Sequence, residues 1–133
     1  KGRASFFTSN GSTLAIYRIG EMYLIKAEAL LRKSPSDVPA AVTELNNVIT
    51  KTPASDPLGI GADLPAYSGP MTADAVLTEI YKQRCIELYL SGLRFEDSRR
   101  FGMPESDRGN RNFMPYPFTE RDNNTSTPPD PAS

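Results

Sequence analysis

The sequence predicts an all-α protein built from antiparallel helix pairs, with long irregular loops and a proline-rich C-terminal coil. Residues 17–51 and 72–102 carry apolar side chains at the i, i+3, i+4 spacing of amphipathic helices. Of the twelve prolines, four lie between residues 52 and 70 and six after residue 102, so these two regions are predicted to be irregular. The chain is then a single domain, residues 1–133, with a lead-in (1–16), a first helix pair (17–51), a loop (52–71), a second helix pair (72–102) and a coil tail (103–133).

The composition excludes several classes of function. A formal net charge of −1, with no basic run longer than Arg99-Arg100, argues against a nucleic-acid-binding surface. The absence of histidine removes the commonest general base and the commonest zinc ligand, and we predict no catalytic residue, no metal and no cofactor. Cys85 is the single cysteine and is predicted to be a small structural hydrophobe. No run of eighteen apolar residues is present, so no segment is predicted to span a membrane.

The lead-in is predicted to be extended. Short apolar or β-branched runs flank Asn10-Gly11, a dipeptide favoured in tight hairpin turns because both residues accept positive φ. A two-stranded hairpin alone is marginally stable, so we expect this segment to lie on the helices.

The first helix pair opens with the clearest helical pattern of the chain, from Tyr17 to Arg32. One apolar stripe and a second group that widens it are expected to face the core: Tyr17, Gly20, Leu24, Ala27 and Leu31, widened by Met22, Ile25 and Ala29. Because Gly20 has no side chain, it predicts the close approach of a neighbouring helix.

The second helix of this pair is predicted to start at Asp37 or Ser36 as N-cap, with Pro39 in its first turn, and to run to about Lys51. Its apolar positions are Val38, Ala41, Val42, Leu45, Val48 and Ile49. The pair fills about 34 residues, the length of a tetratricopeptide repeat. Such a pair cannot bury its apolar face alone, so the second helix pair is expected to supply the other wall.

The loop, residues 52–71, is long for a compact domain, and loops of this length are usually functional or disordered. Asp56 and Asp63 raise the alternative of a calcium site, although they lack the regular alternation of a calcium-binding loop. Tyr67 is the candidate ligand-binding residue, because an exposed ring can stack on a sugar or a base. The alternative is that this ring packs against the helices.

The second helix pair is predicted to begin at Thr72 as N-cap and to be divided at Ser91-Gly92, where glycine supplies the left-handed conformation that ends a helix. After Gly102 we expect an ordered coil to about Glu120 and a frayed end from Asn123.

Charged residues of the second helix pair form the main candidate cluster. Arg84 and Glu87 lie in the apolar sector of one helix, and Arg94, Asp97 and Arg100 follow at spacings of three on the next. Because buried charges are retained only when paired, these five residues are predicted to form a structural ion-pair network that sets the angle between the two helices. The alternative is an anion-binding or catalytic cluster, for which no nucleophile lies nearby.

Three motifs, in the same order along the chain, resemble one family. The segment from Tyr17 to Leu31, YRIGEMYLIKAEALL, resembles the yRlaEmyLikAEAl helix of the SusD/RagB family. Arg84 to Gly102 resembles its R-x-x-EL-x-x-EG-x-R-x-x-DLRRWG signature, and Pro115-Tyr116-Pro117 resembles its P-I-P turn. Departures from the usual pattern include Gln83, Ser91 and Ser98, which replace an acid, a glutamate and a leucine.

The resemblance implies a non-catalytic nutrient-binding lipoprotein, exposed on the outer membrane of Bacteroidetes. Such a protein binds glycan or oligosaccharide and delivers it to a SusC-like TonB-dependent transporter. The resemblance also implies that the chain is the C-terminal portion of a longer protein, attached to the membrane only through a lipid anchor outside this chain. Family members take their ligand contacts largely from loops outside this portion. The ligand-binding residues are therefore unknown, with Tyr67 the first candidate in the chain.

Two other functions are alternatives. The first is a helical-repeat protein–protein interaction module with no small-molecule ligand. The second is a carboxylate-based glycoside hydrolase, which needs two acids facing a cleft at a set separation. Glu87 and Asp97 are expected to be held by arginines instead, so we predict that the protein is not an enzyme.

Overall fold

The computed structural model describes residues 9, 11–12, 15–111 and 113–129. These residues contain no β-strand, and their α-helices are α1 (Ile19–Arg32), α2 (Val38–Ile49), α3 (Ala73–Glu87), α4 (Arg94–Arg100) and α5 (Phe118–Asn123). Short 3₁₀ helices lie at Pro53–Ser55 and Glu105–Arg108. The all-α fold class is confirmed. Most of the predicted extended lead-in, with Asn10, lies outside the described residues, and the described part shows a turn in which the Ser12 amide donates to the Ser9 carbonyl (3.1 Å).

Two compact units divide the chain, one ending at Gly92 and the other beginning at Leu93. The first contains α1, α2 and α3, and the second contains α4 and α5. The predicted second helix pair is therefore shared between the two units. The single domain inferred from the sequence stays a prediction.

Helices α1 and α2 form an antiparallel pair. The Lys26 ammonium lies 2.5 Å from a Glu44 carboxylate oxygen, and the two residues stand nine positions before and nine after Pro35, as a hairpin of helices requires. Asp37 is the N-cap of α2, because its Oδ1 accepts a hydrogen bond from the Ala40 amide (3.1 Å). The packing agrees with the tetratricopeptide-like pairing that the sequence predicts, and α3 supplies the other wall by packing against both helices.

The apolar core of the described residues lies entirely in the first unit. Its buried hydrophobic residues are Leu24, Ala27, Leu31, Ala41, Val42, Leu45, Val48, Ile49, Val76, Ile80, Tyr81 and Leu88. The predicted apolar positions of α2 all belong to this core except Val38, which is half-buried.

The broad apolar face predicted for α1 is wrong in part. Met22 and Ile25 are 47% and 46% exposed, and Tyr17 and Ala29 are exposed as well. Only one stripe of the helix meets α2 and α3, and Met22, Ile25 and Ala29 lie on its opposite side. Helical periodicity identifies apolar positions but does not say which of them a neighbouring helix will cover.

Helix α3 begins where the sequence predicts and ends earlier than predicted. The Thr72 hydroxyl accepts from the Ala75 amide (3.4 Å), which confirms the N-cap. The helix ends at Glu87 rather than at Ser91-Gly92, and the chain then makes tight turns in which both Leu90 (φ 66°) and Gly92 (φ 82°) are left-handed. The C-terminal tail also differs from an unbroken coil, because it contains a 3₁₀ helix and α5, and the Thr127 hydroxyl donates to the Glu120 carbonyl (3.1 Å).

Candidate functional site

A partly buried charge cluster in the first unit consists of Arg18, Lys51, Asp56 and Glu87. Three of the four lie at or next to the end of an α-helix: Arg18 precedes α1, Lys51 follows α2, and Glu87 is the last residue of α3. Asp56 lies on the loop that follows Lys51. The three helices that form the core thus bring together charges from three distant parts of the sequence.

Glu87 is the centre of this cluster, and its side chain is 4% exposed. One carboxylate oxygen, Oε1, accepts a hydrogen bond from Lys51 Nζ (2.7 Å) and lies 3.1 Å from Arg18 Nη2. Arg18 Nη1 also donates to the backbone carbonyl of Glu87. Buried carboxylates are costly unless paired, and these two cations compensate the charge.

Gly20 makes room for the carboxylate of Glu87. A Cβ atom built on Gly20 would overlap the Glu87 side chain. The sequence predicts close approach of a neighbouring helix at this glycine, and what lies against it is a carboxylate of α3. The glycine therefore belongs to the charge cluster as well as to the helix packing.

Asp56 connects the cluster to the loop. Its Oδ2 accepts from Lys51 Nζ (2.8 Å), and its Oδ1 accepts from the amides of Leu58 (2.8 Å) and Ile60 (3.3 Å). Burial alone would raise the pKa of Asp56. The Lys51 ammonium and the two amides outweigh this effect and hold the pKa below its ordinary value. Asp56 is therefore an ionised acceptor at neutral pH.

A cavity of about 290 Å³ lies beside the cluster. Its lining includes Tyr17, Arg18, Ile19, Asp56, Pro57 and Leu58. Tyr17 is 79% exposed. The Arg18 Nη2 atom is buried and makes no hydrogen bond with any described residue, since its contact with Glu87 has the distance but not the geometry of one. The cavity thus combines apolar side chains and an exposed ring with two charged side chains, Arg18 and Asp56.

The residues predicted as one ion-pair network fall into the two units. Arg84 is buried in the first unit, with its guanidinium 4.0 Å from Glu21. In the second unit Asp97 is buried and accepts from Arg100 Nη2 (2.8 Å), while Arg94 is exposed. A single network of Arg84, Glu87, Arg94, Asp97 and Arg100 stays a prediction.

Sequence reasoning missed Arg18, Lys51 and the link to Asp56. Arg18 and Lys51 are 69 and 36 residues from Glu87, and no local spacing relates such positions. The one usable signal was Gly20 beside Arg18, which indicates a close approach but does not name the partner.

Tyr67, the candidate ligand-binding residue of the sequence, is half-buried in its own loop. Its amide donates to Asn46 Oδ1 (2.8 Å) and its hydroxyl donates to the Pro70 carbonyl (3.0 Å). A Cβ on Gly69 would overlap its ring, so the loop backbone lies against that ring. A role of Tyr67 in ligand binding stays a prediction.

Comparison with known proteins identifies the class of protein that carries this fold. The model of the SusD family matches residues 5–131, nearly the whole chain. The chain belongs to the SusD family. No curated protein and no solved structure matches it.

SusD/RagB proteins form a binding, non-catalytic family that is known for glycan binding in nutrient uptake. The family is typically associated with the outer membrane and with SusC-like transporters. In the part of this chain that the structure describes, we find no helix with the length and apolar character needed to cross a membrane.

Proposed function

We propose that this protein binds extracellular oligosaccharide without chemical conversion and delivers it to a SusC-like TonB-dependent transporter at the outer-membrane surface of a Bacteroidetes cell. The observation that carries the proposal is the family match over residues 5–131. The proposal includes surface exposure and a lipid anchor outside this chain.

Titration calorimetry of the full chain tests the binding step. We would use neutral hexasaccharides of glucose, xylose and mannose, and a hexasaccharide of galacturonic acid. Saturable binding of at least one, with the sugar recovered intact by mass spectrometry, is expected. No binding by any of them would contradict the function, and a shortened product would indicate a hydrolase.

Co-purification tests the delivery step. The tagged full chain and a SusC-like transporter are expressed together, and detergent-solubilised membranes are passed over the affinity resin. The transporter is expected in the eluate, whereas an unrelated TonB-dependent transporter serves as the control and is expected in the flow-through. Equal recovery of the two transporters would contradict a specific partnership.

A helical-repeat interaction module is the second candidate, and one observation favours it. Helix α1 leaves Ile19, Met22 and Ile25 substantially exposed on the side away from the core, as a helix that docks a protein would. The calorimetric titrations separate the two candidates, because such a module has no sugar ligand.

A further inference from the structure

The cavity beside Arg18 has the size of a site for one small ring. Ligand sites in proteins usually measure about 300 to 1,000 Å³, and this cavity of about 290 Å³ is just below that range. Several sugar rings of a chain would not fit inside it, but one ring can enter while the rest of the chain stays in solvent.

The walls of the cavity differ in character. Ile19, Pro57 and Leu58 are apolar, and the exposed Tyr17 ring stands among them. Arg18 and Asp56 place a guanidinium and a carboxylate, both capable of hydrogen bonds, in the wall of the cavity. A ligand that packs on the apolar walls and also pairs with the guanidinium and the carboxylate must present an apolar face together with groups that donate and accept hydrogen bonds. Pyranose rings have this combination, since their C–H faces stack on aromatic rings and their hydroxyls do both.

The charge of the cluster favours a neutral ligand over an anion. Arg18 and Lys51 are balanced by Glu87 and Asp56, and Lys51 contacts both carboxylates. An anionic ligand would meet Asp56 as well as Arg18, and the repulsion would cancel much of the attraction. The hydroxyl groups of a neutral sugar carry no net charge, so Asp56 does not repel them.

We propose that this cavity, with Tyr17 as stacking platform and Arg18 and Asp56 as hydrogen-bonding partners, binds one neutral sugar ring of an oligosaccharide. This inference rests on the proposed function, of which it specifies the site and the ligand class. Tyr17, rather than Tyr67, is then the aromatic ligand contact within this chain.

Two substitutions test the site without disturbing the charge cluster. Tyr17→Ala removes an exposed ring, and Tyr89→Ala is its matched control because Tyr89 is 60% exposed in the same unit and does not line the cavity. Leu58→Trp fills the cavity, and Leu64→Trp places the same side chain at a half-exposed leucine of the same loop. Thermal unfolding by circular dichroism verifies that each variant is folded.

The readout is the dissociation constant for the neutral hexasaccharide that the wild-type chain binds best. Tyr17→Ala should weaken binding about tenfold, as loss of one stacking contact does, and Leu58→Trp should weaken it by a similar factor or more. Tyr89→Ala and Leu64→Trp should bind within about twofold of wild type. The galacturonic acid hexasaccharide should bind no more tightly than the neutral ones.

The outcomes show whether the proposed site, the proposed ligand class or the proposed function is wrong. If the wild-type chain binds a neutral hexasaccharide and both cavity variants retain its affinity, the site is wrong and the function stands. If only the acidic hexasaccharide binds, the ligand class is wrong. If the wild-type chain binds no hexasaccharide, the proposed function and this inference are both overturned.

Discussion

At the scale of single residues, the charge cluster places a carboxylate where a helix disfavours it. Glu87 is the last residue of α3, and the carbonyl end of a helix repels negative charge. Arg18 reverses this by donating to the Glu87 carbonyl and pairing with its carboxylate, and Lys51 adds a second cation. The end of one helix is thus held by side chains that flank the two others.

Asp56 makes the stability of the first unit sensitive to acid. Because its pKa is lower in the folded chain than in the unfolded chain, its contribution to stability is complete above the unfolded value, about 3.9. The contribution is lost as the pH falls through the folded value. Urea unfolding of wild type and Asp56→Asn is expected to show a difference in unfolding free energy that is constant from pH 7 to about pH 5 and shrinks below about pH 4.

Asp63→Asn is the matched control for this measurement, because Asp63 is exposed and lies in the same loop. The unfolding free energy of Asp63→Asn should differ from that of wild type by no more than about 0.5 kcal/mol at pH 7. A difference between wild type and Asp56→Asn that grows on acidification would contradict the direction of the Asp56 pKa.

At the scale of elements, α1 and α3 approach each other at a glycine and a carboxylate. Replacing glycine by alanine inside a helix usually stabilises it, by up to about 1 kcal/mol. Gly20→Ala is expected instead to lower the unfolding free energy by about 1 to 3 kcal/mol, because the added Cβ atom would overlap the Glu87 side chain. Urea denaturation monitored by circular dichroism measures the change.

A double-mutant cycle shows whether Glu87 is the cause. Glu87→Ala alone should cost about 3 kcal/mol or more, since it leaves Arg18 and Lys51 without their shared carboxylate. In the Glu87→Ala background, Gly20→Ala should be neutral or stabilising, because the overlapping Oε1, Cδ and Cγ atoms of Glu87 are gone. The same cost of Gly20→Ala in both backgrounds would show that some other contact is responsible.

At the scale of the whole molecule, the two units differ in what they bury. Every buried hydrophobic residue of the described chain precedes Leu93, whereas Asp97 and Ser98 are the buried residues of α4. Burial of apolar surface is the main favourable term in folding. The first unit therefore contains the core on which cooperative folding depends.

Separate expression of the two units tests this division. The fragment 1–92 is expected to unfold in a single sigmoidal transition in urea, as small domains with one core do. The fragment 93–133 is expected to show no such transition. A gradual, non-cooperative loss of helix in fragment 1–92 would mean that its core forms only in the complete chain, as the single domain inferred from the sequence requires.

Local chemistry in the sequence was enough to determine the helical class, the antiparallel first pair and the N-cap at Thr72. For α2 it left Asp37 and Ser36 as alternatives, of which the structure has Asp37. Helical periodicity, turn length and a capping side chain all act within a few residues, so they can be read without the fold. The family was recognisable for a related reason, because its motifs are contiguous segments. Apart from Val38, the apolar positions of α2 predicted from the same periodicity are buried.

Only the tertiary structure decided which surfaces and charges meet. Met22 and Ile25 have the spacing of core residues but lie on the side of α1 that no described helix covers. Arg18 and Lys51 became the partners of Glu87 because three helix ends converge, over separations of 69 and 36 residues. The cavity forms at the same place. Such contacts depend on how whole helices pack, and neither the spacing nor the type of the residues involved specifies that packing.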